Sequence, residues 1–328
     1  MRSIVLVFID GLGLGDPESP MNPVVHPDLD ILANFRPTEW KPPRDGGRPD
    51  SLPELVRAGP LPWDGVARVT DASLGVPGLP QSATGQTTIF TGVNAAQTLG
   101  RHLYAYPTAT LQRILMTHSI LKRVVEAGRP AVFANAFRPI FFELGDAVWK
   151  RGMSATSWAN RAAGLPFKNL EDLETGRAVY QDITHDSLRA RLMPRGRSDV
   201  QLQGVDIPLR APEDAGAILA SIASQHTFTL FEFFQTDKAG HAQDREKAVR
   251  ELLKLEHFLT AVSRSLDLET NTLVVTSDHG NVEDLSTKSH THNPVPTLVF
   301  GGDAALLASR LDRLENFTPA ILDALGIP

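Results

Sequence analysis

Apolar positions along the chain fall into short unbroken runs separated by stretches with helical spacing. Ile4–Ile9 ("IVLVFI") is too continuous for a strand with one wet face, so it predicts a strand covered on both faces. Gly11-Leu12-Gly13 predicts the turn that leaves it. Val66–Thr70 predicts a second short strand, and "PAVFANA" at 130–136 a third. Between them, residues 111–127 ("LQRILMTHSILKRVVEA") have helical spacing and stop at Gly128. Pro212 and two acids open a helix through "PEDAGAILASIASQ", and "TFTLFEFF" is the strand after it. The clearest helix covers 244–266, where Ala248, Leu252, Leu255, Leu259, Val262 and Leu266 recur at spacings of three and four. "NTLVVTS" and "PTLVF" predict the last strands, both buried on two faces. Residues 16–65, rich in Pro, Gly and Asp, read as surface connections with one short helix near Asp28–Ala33.

Strand–helix alternation of this kind predicts a layered α/β fold with a largely parallel sheet. Residues 140–210 break the pattern: periodicity is poor, and Arg, Gly and Asp are common. They are expected to form a small cap or insertion between a first part of the core at 1–139 and a second at 211–328. No repeat, heptad array or low-complexity tract interrupts this organisation.

Composition changes the picture little. At 328 residues, 42% hydrophobic and 21% charged, the chain is of globular type. A formal net charge of −6 argues against nucleic acid or an anionic membrane as the main partner. Zero cysteines exclude disulfides, thiolate metal sites and thiol nucleophiles. The opening apolar run ends at Asp10, too short for a secretory core, and no run reaches the roughly 18 residues that span a bilayer. A cytoplasmic location is the expectation, with oligomeric state unspecified.

Candidate chemistry sits where predicted strands end, which is where ligands gather in layered α/β folds. Asp10 closes the first strand, in "VFIDGLG". Asp237 and His241 stand four apart after "TFTLFEFF", so one helical turn would aim both at one point. Asp278 and His279 are adjacent at the end of "NTLVVTS", where a turning chain lets both reach one cavity. Glu283 and Asp284 just beyond are expected to face solvent. His290 and His292 precede the final strand; one is expected to be a ligand, the other a substrate contact or surface residue. Taken singly, each place also reads as a cap, a turn or a surface histidine. Together they offer three carboxylates and three imidazoles, a set suited to two divalent cations, manganese or zinc.

The reacting group is expected in "GLPQSATGQTTIFTG". Ser82 and Thr84 lie near a predicted helix N-terminus, which favours an anion, although an ordinary N-cap would look the same. A hydroxyl beside a divalent cation loses its proton far more readily than a free one. Three Asp carboxylates and one alkoxide give −4, which two dications cancel. Arg101 and Lys238 are candidate partners for phosphoryl oxygens, and each also reads as a surface charge. Arg138, Arg151, Trp158, Arg161 and Lys168 are candidate substrate contacts from the cap.

In order, "DGLGLG", "GLPQSATGQ", "TDKAGH", "SDHGNVED" and "HTHNPVP" resemble blocks of the alkaline phosphatase superfamily, closest to the branch of cofactor-independent phosphoglycerate mutase and phosphopentomutase. The resemblance covers roughly 1–136 and 211–328. It implies a three-layer α/β sandwich and phosphatase or phosphomutase chemistry on a small phosphorylated metabolite. It also implies one cation on Asp237, His241 and His290 and a second on Asp10, Ser82, Asp278 and His279. Ser82 would carry a phosphoryl intermediate, with Thr84 the runner-up, and His290 is preferred to His292 because it precedes a Thr-x-Asn-Pro block. The chain departs from the mutases at Gly85-Gln86, where they have Gly-His, and in lacking their large insertion after the nucleophile. A reduced cap favours hydrolysis over return of the phosphoryl group. A non-catalytic metal-binding protein on the same scaffold is the alternative from a different class.

Overall fold

The structure, a computed structural model, describes residues 2–32, 41–43, 47, 49, 65–192 and 207–328. Its strands are β1 (Ser3–Ile9), β2 (Val66–Thr70), β3 (Ala131–Phe133), β4 (Asn135–Ala136), β5 (Val179–Tyr180), β6 (Phe228–Phe233), β7 (Asn271–Ser277) and β8 (Val295–Phe300). Six of them form one sheet in the order β2-β8-β7-β1-β6-β3, and β4 and β5 pair separately. β3, β6, β1 and β7 run parallel, while β8 is antiparallel to both β7 and β2. β8 alone is therefore reversed, and the sheet is largely parallel as the alternation predicts.

β1 is buried at every position because successive side chains enter opposite layers. Val5, Val7 and Ile9 pack with Leu219, Leu252, Leu255 and Leu259 of the helices Pro212–Ala223 and Arg245–Ser265. Ile4, Leu6 and Phe8 pack with Ile89, Phe90, Leu115 and Leu121 of the helices Ser82–Thr91, Ala109–His118 and Ile120–Glu126. Two helical layers thus enclose the sheet. Among the described residues no helix is long and apolar enough to cross a membrane.

Two local expectations need correction. The helix expected at 111–127 is two helices that meet at Ser119, whose backbone leaves helical geometry (φ −53°, ψ 132°). The Ser119 hydroxyl accepts from Lys122 N and donates to Ala159 O, a local capping alternative that competes with helix continuation. No helix forms over 28–32; Ala33 lies outside the described residues. The Ile31 and Leu32 amides donate to the Glu256 carboxylate at 2.6 and 3.0 Å, so they make no helical bonds. The 140–210 segment includes the helix Ala155–Ala162, which carries Ala155, Trp158 and Ala159 into the second apolar layer. Residues 193–206 of that segment lie outside the described residues.

The register explains why the candidate residues meet. Ile9 pairs with Phe233 on one side and Ser277 on the other, so β1, β6 and β7 end at one level. Asp10 and Asp278 follow directly, and Asp237 lies on the helix Gln235–Ala242 just beyond β6. Because β8 is reversed, the loop that enters it, with His290, arrives at the same sheet edge.

Candidate metal centre

Ser82 opens the helix Ser82–Thr91; Gln81 is the N-cap and makes no side-chain cap bond. Its Oγ lies 2.9 Å from His279 Nε2. Gly85 allows this approach, since a Cβ there would fall 2.9 Å from Asp278 Cβ and 3.1 Å from the Asp278 carbonyl oxygen. Gly11 turns the chain straight after Asp10 at φ +74°, a conformation glycine adopts freely, and its amide donates to Asp278 Oδ1 at 3.3 Å. His279 Nε2 is 3.2 Å from Asp10 Oδ1 and 3.6 Å from Asp278 Oδ2. Four expected residues, Asp10, Ser82, Asp278 and His279, thus converge.

The second group is as close. One helical turn sets Asp237 Oδ2 3.4 Å from His241 Nε2, and Asp237 Oδ1 is 3.5 Å from His290 Nε2. The two histidine Nε2 atoms are 3.3 Å apart. The rings of His279 and His290 stack with centroids 3.7 Å apart, which joins the two groups side by side.

The donor set fits cations. Nδ1 of His241 meets Lys288 O at 2.7 Å, Nδ1 of His290 meets Pro80 O at 2.9 Å, and Nδ1 of His279 meets Gly280 O at 3.4 Å. A carbonyl can only accept, so each Nδ1 carries the hydrogen; Nε2 of each ring donates to the carboxylates while it is protonated and turns a lone pair to the cluster once that proton leaves. Facing lone pairs among carboxylates repel unless a cation lies between them. Asp10 Oδ1 is buried with no conventional hydrogen bond, its close neighbour being His279 Nε2. Oxygen and imidazole donors in these numbers suit divalent cations.

Electrostatics agree. Burial, reinforced by Asp10, pushes Asp278 well above the usual carboxylate range. Burial alone would lower His279, yet the carboxylates of Asp278, Asp10 and Asp237 outweigh it and hold the imidazole up to about 10. Without a cation this cluster therefore keeps protons to unusually high pH. Burial works against ionising Asp237, but the hydrogen bonds from His241 and His290 prevail and hold it far below the ordinary range.

The remaining expected residues lie elsewhere. Thr84 is fully buried; its hydroxyl donates to Gln81 O and accepts from Leu103 N. Lys238 lines a cleft of about 760 Å3 that also reaches Asp10, Ser82 and Asp237, and its ammonium sits 4.1 Å over the Phe234 ring. Arg101 is exposed and is not among the residues lining that cleft. His292 is half-buried. Of the cap candidates, Arg138 lines the cleft; Trp158 is buried under Trp149, over which Arg161 lies at 4.3 Å; Lys168 faces Asp172 at 3.7 Å. The Arg151 side chain lies outside the described residues.

Sequence reasoning missed four residues. Glu283, expected in solvent, is 1% exposed and accepts from the amides of Gly13 and Asn281 and from Thr291 and Asn293. It ties the loops after β1 and β7 to the loop before β8. Asn281 donates to Asp237 Oδ1 at 2.7 Å. Gln86, where the resembling mutases have histidine, donates from one Nε2 to both Asp10 and Asp278 at 3.2 Å, holding the two carboxylates in register. Glu232 lines the cleft at 6% exposure, and burial pushes it up to about 7. A charge inside the apolar run "TFTLFEFF" was the signal for Glu232.

A parallel α/β sheet with acids and imidazoles gathered at its strand ends defines a metal-site protein of the layered α/β class. Residues 207–328 match the family described as Metalloenzyme superfamily. A 2,3-bisphosphoglycerate-independent phosphoglycerate mutase of Ruegeria pomeroyi is 28% identical over 145 residues, 42% of this chain and 28% of its own length. The enzyme of the same name from Desulforudis audaxviator is 30% identical over 126 residues, 37% of this chain and 25% of its own. The matched region thus spans about a quarter of the length of these curated relatives. Among solved structures, the PH0037 protein from Pyrococcus horikoshii superposes with a TM-score of 0.54 at 15% identity, covering 100% of this chain and 97% of that one.

Proposed function

We propose that the protein is a two-cation phosphoryl-transfer enzyme, of phosphatase or phosphomutase type, acting on a small phosphorylated metabolite through a phosphoserine. One observation carries the reading: the Ser82 hydroxyl, at a helix N-terminus, shares its hydrogen bond with a histidine of the same cluster that holds Asp10 and Asp278. Asp237, His241 and His290 would hold one manganese or zinc ion, and Asp10, Ser82, Asp278 and His279 the other. Bound there, the ions supply charge that stabilises a phosphoryl group and lowers the pKa of the serine hydroxyl.

The chain's own residues do the rest. Gln86 orients Asp10 and Asp278, and the imidazole Nδ1 bonds fix each ring. Ser82 Oγ gives up its proton and attacks phosphorus; the bond to the substrate's alcohol oxygen breaks and that oxygen takes up a proton. Water then cleaves the phosphoserine to inorganic phosphate, or a second substrate hydroxyl takes the group. Lys238 and Arg138, which line the cleft, are assigned to the non-bridging oxygens. The relatives' printed name, phosphoglycerate mutase, supports phosphoryl transfer as the reaction class.

Protein stripped with a chelator is expected to lose turnover of a phosphate monoester panel and regain it with manganese or zinc. Turnover that survives full metal removal would contradict the proposal.

A further inference from the structure

The cleft beside the cluster has a composition the proposed reaction does not require. Much of its lining is apolar, with Phe133, Phe137, Ile140, Phe141, Met153 and Phe234, and neutral polar side chains such as Ser154 and Ser157 lie among them. Phe137 and Phe141 pack on each other with centroids 4.4 Å apart, and both pack on Phe167 at 5.0 and 4.8 Å. This wall is braced from behind. Glu232 stands in the same cleft, held at one carboxylate oxygen and at its backbone. Thr156 Oγ1 donates to its Oε2 at 2.6 Å, and the Asn135 amide group clamps its backbone at 2.8 and 2.9 Å. Among the described lining residues Arg138 and Lys238 are the cationic ones, against Asp10, Glu232 and Asp237.

Resting on the phosphoryl-transfer reading, we infer that the cleft selects phosphate monoesters whose alcohol part is apolar or aromatic and carries no carboxylate, with Glu232 as the group that rejects a second anion. The phosphate's charge is met at the cation sites and the two basic side chains. A carboxylate further along the substrate would meet a buried acid and phenyl rings, with no third cation among the described lining residues to pair with and only neutral polar groups such as Ser154 and Ser157 beside them. An aromatic or aliphatic group would instead cover the phenylalanine wall, and a hydroxyl or amine on it could donate to Glu232. Discrimination by an unpaired buried charge is the strong kind, because the wrong ligand leaves a polar group unsatisfied.

The test uses the metal-loaded protein at pH 8 and non-hydrolysable probes. Calorimetry should show benzylphosphonate binding at least about tenfold tighter than 3-phosphonopropionate. Glu232→Gln should strengthen 3-phosphonopropionate about threefold or more and leave benzylphosphonate within about twofold. Phe141→Ala should weaken benzylphosphonate selectively, and it carries the test if the Glu232 variant fails to fold. Equal or tighter binding of the carboxylated probe, binding of neither probe, or no change in the ratio in a folded variant would overturn the inference. Turnover of phenyl phosphate, measured on the same preparation, separates the two claims. Selective binding without turnover removes the reaction and leaves the cleft's preference; turnover without selectivity does the reverse.

Discussion

Ser82→Ala is expected to lower metal-dependent phosphate monoester turnover by about a thousandfold or more, and to abolish covalent phosphate on the protein. The physical reason is that Thr84, the other hydroxyl of the same helix start, is not free to replace it. Thr84, two residues on, spends its hydroxyl on Gln81 O and the Leu103 amide inside the helix's first turn. The Ser82 hydroxyl makes no cap bond and meets only His279 Nε2 in the site, so its loss should alter stability by about 1 kcal/mol at most. A cap serine would behave the opposite way, with a lower melting temperature and intact activity. The check is rapid-quench labelling with 32P-substrate, in parallel with thermal melts of both proteins. Thr84→Ala is the control and should keep the label. Label retained in Ser82→Ala would remove Ser82 from the chemistry.

Asp278→Asn is expected to weaken cation binding by at least about a hundredfold, more than loss of an outer orienting group, and to change the sign of a stability difference. Asp278 is wholly buried beside Asp10, and its folded pKa is raised above its unfolded one. The folded metal-free protein therefore binds the Asp278 proton more tightly than the unfolded chain. Its stability accordingly falls as pH rises above the ordinary carboxylate range. Asparagine has no proton to lose and nearly the same shape. In excess chelator at pH 8 the variant should melt at or above the wild type; with saturating manganese the order should invert. Cation affinity itself should climb with pH, because the ion competes with protons on a cluster where His279 titrates up to about 10. Dye-competition titrations from pH 6 to 9 read that slope, and a flat profile would show that the ion is held elsewhere.

The readable parts of the fold were those whose burial is written into one short run. β1, β6 and β7 are apolar at nearly every position because both faces are covered, and the Arg245–Ser265 helix carries its apolar stripe at regular spacing. Asp10, Asp237, His241, Asp278, His279 and His290 stood out because each follows or precedes such a run. What stayed hidden depends on partners far along the chain. Nothing near Ile31 shows that Glu256, on another helix, takes its amide. Glu283 looks like a surface acid until three loops close around it. Gln86 looked like a loss against the mutase pattern, and only the meeting of the β1 and β7 ends shows that one amide group serves two carboxylates. Ser119 offers a cap in the middle of good helical spacing, and its bond to Ala159 O lies across the packed helices.

The central claim is spatial: two cations, side by side, at the end of a parallel sheet. Anomalous diffraction from crystals grown with manganese tests it directly. The account predicts two peaks, one bounded by Asp237, His241 and His290, the other by Asp10, Ser82, Asp278 and His279. A single peak outside both groups, or none at saturating manganese, would contradict it.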